Sequence, residues 1–155
     1  MIKLLDILEN RILVPRRSKE ERQKTHIITL QKKIQQYIKD GSKGDLNLYK
    51  TPITSLPDNL KVGGYLNLMG TPITSLPDNL EVEGYLNLMS TPLASLPNNL
   101  EVGGYLDLYK TPITSLPNNL KVGGYLNLMS TSISQKYSEE EIRKMVPGVR
   151  GKILI

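Results

Sequence analysis

The sequence predicts an α/β solenoid, one parallel β-sheet built from stacked coils, with a helical cap before the stack and a helix-strand cap after it. Three observations carry this expectation. A block of twenty residues, GYLNLMGTPITSLPDNLEVE and its near copies, recurs without insertion from Gly44 to about Ser134. Leucines return in register at Leu66, Leu86, Leu106 and Leu126 and again at Leu68, Leu88, Leu108 and Leu128, with a partial first copy at Leu46 and Leu48. Two prolines per repeat, such as Pro72 and Pro77, argue against an α-helix on the return side and favour extended or polyproline-like backbone. A coil of this length cannot enclose its own apolar side chains, so each must cover the core of the next. The chain therefore divides into a basic helical cap over residues 1–43, the repeats over 44–134, and a C-terminal cap over 135–155.

The leader holds two helical patterns. Met1, Leu4, Leu5, Leu8 and Ile12 follow one helical period, and a second helix is expected from Ser18, where Ser18 and Glu21 have capping-box spacing. Its apolar face is Ile27, Leu30, Ile34, Tyr37 and Ile38, and Gly41 marks its end. This face is expected to cover the open N-terminal end of the first repeat, which otherwise exposes leucines.

Within a repeat, Tyr65-Leu66-Asn67-Leu68-Met69 alternates with period two and reads as a short strand with both leucines inward. Thr71-Pro72 ends it, Ile73 and Leu76 turn back inside, Leu80 and Val82 complete the core, and Gly63-Gly64 or Glu83-Gly84 is expected to make a tight bend into the next strand. The expected result is a right-handed solenoid with one parallel sheet of five or six strands, centred on residues 46–48, 66–68, 86–88, 106–108, 126–128 and 153–155. In the tail, Ser138 and Glu141 repeat the capping-box spacing, so a helix is expected from Glu139 to Val146, stopped by Pro147-Gly148. Val149 to Ile155 then aligns with Val122 to Leu128 and supplies a last strand.

Composition narrows the functional classes. At 155 residues one domain is expected. Cysteine is absent, which removes disulfides and thiolate metal sites, and the single histidine, His26, has no partner of its kind. No run approaches the ~20 apolar residues of a membrane span, and Asp6 and Glu9 interrupt the opening apolar stretch before a signal-peptide core forms. The expected location is the cytoplasm where the chain is made, or a virion. Residues 1–43 carry eleven Lys/Arg against five Asp/Glu, a balance of +6, and the remainder carries nine against ten, so the net +5 belongs to the leader. Its cluster Arg16, Arg17, Lys19, Arg22 and Lys24 has the charge to meet phosphates, but on a helix such a cluster is more often a solvated face, and nucleic acid is the weaker expectation.

The repeat resembles the short bacterial leucine-rich repeat, with L-x-L-x-x-N-x-L-x-x-L-P becoming L-x-L-x-x-T-x-I-x-x-L-P over about residues 44–134. The ladder asparagine is replaced by Thr51, Thr71, Thr91, Thr111 and Thr131, whose hydroxyls offer fewer donors than an amide, so a tighter or partly water-satisfied turn is expected. Threonine there, the V-G-G-x-L-x-L spacing and the M-V-P-G-V-R-G ending are similar to small repeat proteins of bacteriophages and their hosts. Bacterial effectors with L-P-type repeats sometimes append a ubiquitin-ligase domain with a cysteine nucleophile, which this chain lacks. The resemblance therefore implies recognition alone, a protein partner held on a concave sheet.

Stacking puts like residues over like at ~4.8 Å, so the outward strand positions form three columns. One is Tyr65, Tyr85, Tyr105 and Tyr125. The second is Asn47, Asn67, Asn87, Asp107 and Asn127, and the third is Tyr49, Met69, Met89, Tyr109 and Met129. Tyrosine gives rigid contact area and methionine adapts its shape, as at many interfaces. The same columns also have a purely stabilising reading, in which rings stack and amides form ladders. Catalysis has no support: Asp58, Asp78, Glu81, Glu83 and Glu101 lie on turns without a histidine, and Ser55, Ser75, Ser95 and Ser115 lack a neighbouring base. The expectation is a non-enzymatic binding scaffold without cofactor or metal. The alternative is an assembly protein, for instance a bacteriophage particle component, that associates through its ends and through the strand edge at Ile153, Leu154 and Ile155.

Overall fold

A computed structural model of the protein describes residues 18–155, so the first helical pattern, Met1 to Ile12, lies outside the described residues. Helix α1 (Lys19–Lys39) opens with the expected capping box, in which the Glu21 N–H donates to Ser18 Oγ at 3.1 Å and the Ser18 N–H donates to the Glu21 carboxylate at 2.7 Å. Leu30 and Ile34 are buried, Ile27 and Tyr37 are half-buried, and Ile38 stands at the exposed rim. The helix thus meets the solenoid with its C-terminal half, where the apolar spacing is densest.

Ten short parallel strands follow: β1 (Leu46–Asn47), β2 (Lys61–Val62), β3 (Leu66–Asn67), β4 (Glu81–Val82), β5 (Leu86–Asn87), β6 (Glu101–Val102), β7 (Leu106–Asp107), β8 (Lys121–Val122), β9 (Leu126–Asn127) and β10 (Ile153–Leu154). The sheet order β1-β3-β5-β7-β9-β10 reproduces the six expected strands, each paired twenty residues on, until β10 pairs Ile153 with Leu126 and Leu154 with Asn127. The expectation of a single sheet is corrected. Strands β2-β4-β6-β8 form a second parallel sheet, with the Glu81 N–H donating to the Leu60 carbonyl at 3.1 Å and the Glu83 N–H to Val62 at 2.9 Å. The physical reason is that an unbroken repeat places every extended segment beside its own copy, and Leu60-Lys61-Val62 alternates inward and outward as the first strand does.

The chain bends into the next strand where expected, at residues 63–64, 83–84, 103–104 and 123–124. Gly84 and Gly104 do not adopt left-handed backbone; a Cβ on either meets the carbonyl oxygen of the coil below, at 2.7 Å for Gly84 over Gly64 and 2.8 Å for Gly104 over Gly84. At the bend they also let the backbones of successive coils stack closely. Left-handed backbone falls just after the first five strands of the larger sheet, at Lys50, Gly70, Ser90, Lys110 and Ser130, and in the return turn at Asn59, Asn79 and Asn99.

The threonine column closes its own turns, in line with the tighter form expected. Each hydroxyl donates to the carbonyl three residues earlier, from Thr51 to Leu48 at 2.8 Å and from Thr131 to Leu128 at 2.6 Å, with Thr71, Thr91 and Thr111 doing the same. Each N–H donates to that same carbonyl at 3.1 Å. One threonine thus closes its own turn while buried or half-buried, which satisfies the hydroxyl within the coil. Between the two sheets runs one continuous core of leucine, isoleucine and valine.

The last repeat lacks both prolines, with Ser132 and Tyr137 in their places, and a helix that the sequence reading did not anticipate forms there: α2 (Ser132–Lys136), capped by Thr131. Helix α3 (Glu139–Met145) carries the expected Ser138–Glu141 capping box and ends one residue before the expected position, with Val146 as its C-cap. Ile142 and Val146 are fully buried against the end of the core. Among the described residues no helix is long and apolar enough to cross a membrane.

Candidate interaction face

The three outward columns lie together on the face of the six-stranded sheet opposite the core, and the structure gives them different tasks. In the middle column each side-chain oxygen accepts from the backbone N–H two residues on: Asn47 from Tyr49 at 3.0 Å, Asn67 from Met69 at 3.1 Å, Asn87 from Met89 at 2.9 Å, Asp107 from Tyr109 at 2.9 Å and Asn127 from Met129 at 3.1 Å. This is the local turn that asparagine and aspartate favour, and it satisfies an N–H that the chain turns away from the ladder. The column therefore shapes the strand end before it offers anything to a ligand.

Tyrosine splits into two pairs. Tyr65 and Tyr85 stack at 5.1 Å and 10°, and Tyr105 and Tyr125 stack at 4.9 Å and 19°, but Tyr85 and Tyr105 meet edge to face at 6.1 Å and 71°. The lower pair turns toward the polar column: the Tyr85 hydroxyl donates to Asp107 at 2.9 Å, and Asn87 Nδ2 donates to the Tyr65 hydroxyl at 3.3 Å. Asp107 also accepts from Asn127 Nδ2 at 3.0 Å and is only 8% exposed. Burial first, and then the neighbouring Asp107 carboxylate, push the Tyr85 hydroxyl's pKa well above the ordinary tyrosine value. The upper pair lies flat over later coils, Tyr105 against Gly124 and Tyr125 against Gly151, where glycine leaves room for a ring.

Exposure consequently rises from the first tyrosine pair to the second, while the other two columns are most exposed toward the ends of the stack. Tyr65 and Tyr85 are half-buried and Asn87 and Asp107 are buried, whereas Tyr105 is 50% and Tyr125 43% exposed, beside exposed Met129. Asn67, Asn127, Met69, Met89 and Tyr109 are half-buried, and Tyr49 is exposed with the Lys50 ammonium 5.0 Å from its ring centre. Leu154 and Ile155, on the next strand, are also exposed, while Ile153 is buried in the core.

Sequence reasoning missed the groups that guard the edges of this sheet. At β1, Lys33 Nζ donates to the Asn47 carbonyl at 3.3 Å, and the Tyr37 hydroxyl lies 2.8 Å from both the Ser42 and Gly44 carbonyls. Near β10, the Arg143 guanidinium donates to the carbonyls of Val149 at 3.4 Å and Gly151 at 3.1 Å. The twenty-residue period carries no signal for them, because all three stand on capping helices. Among the described residues no group of three or more His, Asp or Glu side chains is placed to hold a metal ion.

No protein-family model matches this chain, and no curated protein and no solved structure matches it either. The class of protein is the one its geometry defines, a parallel β-solenoid of twenty-residue coils capped by a helix at one end and by a helix and strand at the other.

Proposed function

We propose that the protein is a non-enzymatic binding scaffold of the leucine-rich-repeat kind, which holds a protein partner on the tyrosine, asparagine and methionine face. The observation that supports this reading is the pair Tyr105 and Tyr125, which are ordered by stacking at 4.9 Å and yet half exposed. Rings already fixed in the free protein lose little entropy when a partner covers them, and central aromatic anchors carry much of the energy at interfaces. On this reading Tyr105, Tyr125 and Met129 make the contact, Tyr65 and Tyr85 extend it, and Asn67, Asn87, Asp107 and Asn127 hold the strand ends beneath.

Affinity capture from the native source, followed by titration of the purified partner, tests the proposal. Tyr105→Ala with Tyr125→Ala is expected to abolish binding, at ~2 kcal/mol or more per anchor, while circular dichroism stays native. A folded double variant that keeps full affinity removes the face from consideration. The second reading, an assembly protein such as a bacteriophage particle component, is favoured by one observation, the exposed apolar strand at Leu154 and Ile155.

A further inference from the structure

We propose that the protein associates tail to tail, with β10 pairing antiparallel to β10 of a second copy about a two-fold axis at Leu154. The argument begins with which backbone groups are free. Within the sheet the N–H groups of Leu126 and Leu128 donate forward to Lys152 and Leu154 at 2.9 and 2.8 Å. Lys152 and Leu154 therefore turn their carbonyls back to β9, and alternation turns the N–H and C=O of Ile153 and the N–H of Ile155 outward. Upstream, the outward carbonyls of Val149 and Gly151 are taken by Arg143. Among the described residues the unpaired edge of this sheet end is thus residues 153–155.

That edge is complementary to itself in one register. Centring an antiparallel pair on Leu154 sets Ile153 opposite Ile155 of the second copy, so that the outward groups of each exchange hydrogen bonds on both sides of the axis. Centring it on Ile153 instead needs the Gly151 carbonyl, which Arg143 occupies. Antiparallel pairing also carries the Arg143 side chains of the two copies to opposite ends of the contact.

The side chains agree with the backbone. Leu154 follows Asn127 in register and is 37% exposed, an apolar residue at the end of a polar column. Ile155 takes the place of Leu128, a position wholly buried in the preceding coil, yet it is 48% exposed. In the paired register Leu154 meets Leu154 of the second copy, and Ile155 lies beside Ile153 across the axis. The opposite end of the sheet is occupied differently: Lys33 takes the Asn47 carbonyl of β1, and Tyr37 takes the Ser42 and Gly44 carbonyls just before it. One open edge and one occupied edge give a closed dimer rather than a fibre, and the two tyrosine faces become one continuous surface. The contact is small, so the dimer belongs among weak, concentration-dependent ones.

Because the chain contains no cysteine, a single introduced cysteine reports the register directly. Opposed residues in a non-hydrogen-bonded antiparallel pair have Cα atoms ~4.5 Å apart, within disulfide reach. Under mild oxidation the full chain carrying Leu154→Cys is expected to form a covalent dimer, whereas Lys152→Cys, several residues from its own copy in this register, stays monomeric. Sedimentation of the unmodified chain from low to high micromolar concentration is expected to show a monomer–dimer equilibrium. Leu154→Lys and Leu154→Glu are each expected to abolish it, and mixing the two to restore it, since the residue faces itself. Overturning results are an unmodified chain that stays monomeric throughout, a Leu154→Cys chain that does not cross-link, or cross-linking as rapid at position 152 as at 154.

Discussion

On the six-stranded sheet the Asp107 carboxylate is buried and accepts from Tyr85, Tyr109 and Asn127, whereas on the four-stranded sheet Glu101 and Lys121 pair with side chains 50% and 65% exposed. The two sheets share one period and one core. In the first, polar atoms are enclosed by tyrosine rings, and each needs its partner because water does not reach it freely. In the second, Lys61 pairs with Glu81 and Lys121 with Glu101, so the two glutamates that face each other across β4 and β6 both turn away to a lysine. Such pairs keep the sheet solvated and contribute little to stability. One face has its side-chain geometry set by enclosed contacts, and the other holds its ion pairs in solvent.

The largest effect breaks both sheets at once. Leu86→Ala removes a fully buried side chain from the core they share and is expected to cost ~2–5 kcal/mol in denaturant unfolding. Asp107→Ala separates the sheets: it strands the Tyr85 hydroxyl, the Tyr109 N–H and the Asn127 amide, at an expected ~1–3 kcal/mol. Asp107→Asn, the residue of the other coils, is expected to cost less because an amide oxygen still accepts from Tyr109 as Asn87 does from Met89.

Alkaline titration sharpens the contrast further. Tyr85 has its pKa raised above the ordinary 10.0 by burial and then by Asp107, so its contribution to stability is complete below pH 10 and is lost as pH rises through the folded value. Tyr85→Phe is expected to flatten that alkaline loss in chemical denaturation, and an unchanged slope means the hydroxyl is not held as described. The smallest effect belongs to the exposed ladder. Glu101→Ala is expected to cost ~0–1 kcal/mol and less in high salt; a cost equal to that of Asp107→Ala erases the distinction between the faces.

Much of this arrangement was legible from pattern. The inward leucines, the capping boxes at Ser18 and Ser138, and the pairing of Val149 with Val122 all follow from spacing, because they depend on residues close in sequence or on the period itself. The second sheet was equally periodic, but its alternating run, Leu60-Lys61-Val62, is shorter than the run from Tyr65 to Met69 and does not stand out from a turn. Helix α2 depends on the proline missing at 137, where the Tyr137 N–H closes the last turn on the Ile133 carbonyl at 3.0 Å, a departure from the pattern rather than a part of it.

Near-identical coils make the stacking and the inward side of each strand a property of the chain's own repetition, since any other register exposes leucine. What repetition leaves open is how like residues come to differ. Tyr85 and Tyr105 occupy equivalent positions, yet one bends to a carboxylate twenty-two residues ahead and the other lies over a glycine. Asparagine and aspartate at positions 87 and 107 look outward by alternation but are buried. Rings from neighbouring coils decide that, because the exposure of a side chain on a sheet depends on the rotamers of residues a full coil away, and the edge depends on which helix reaches it.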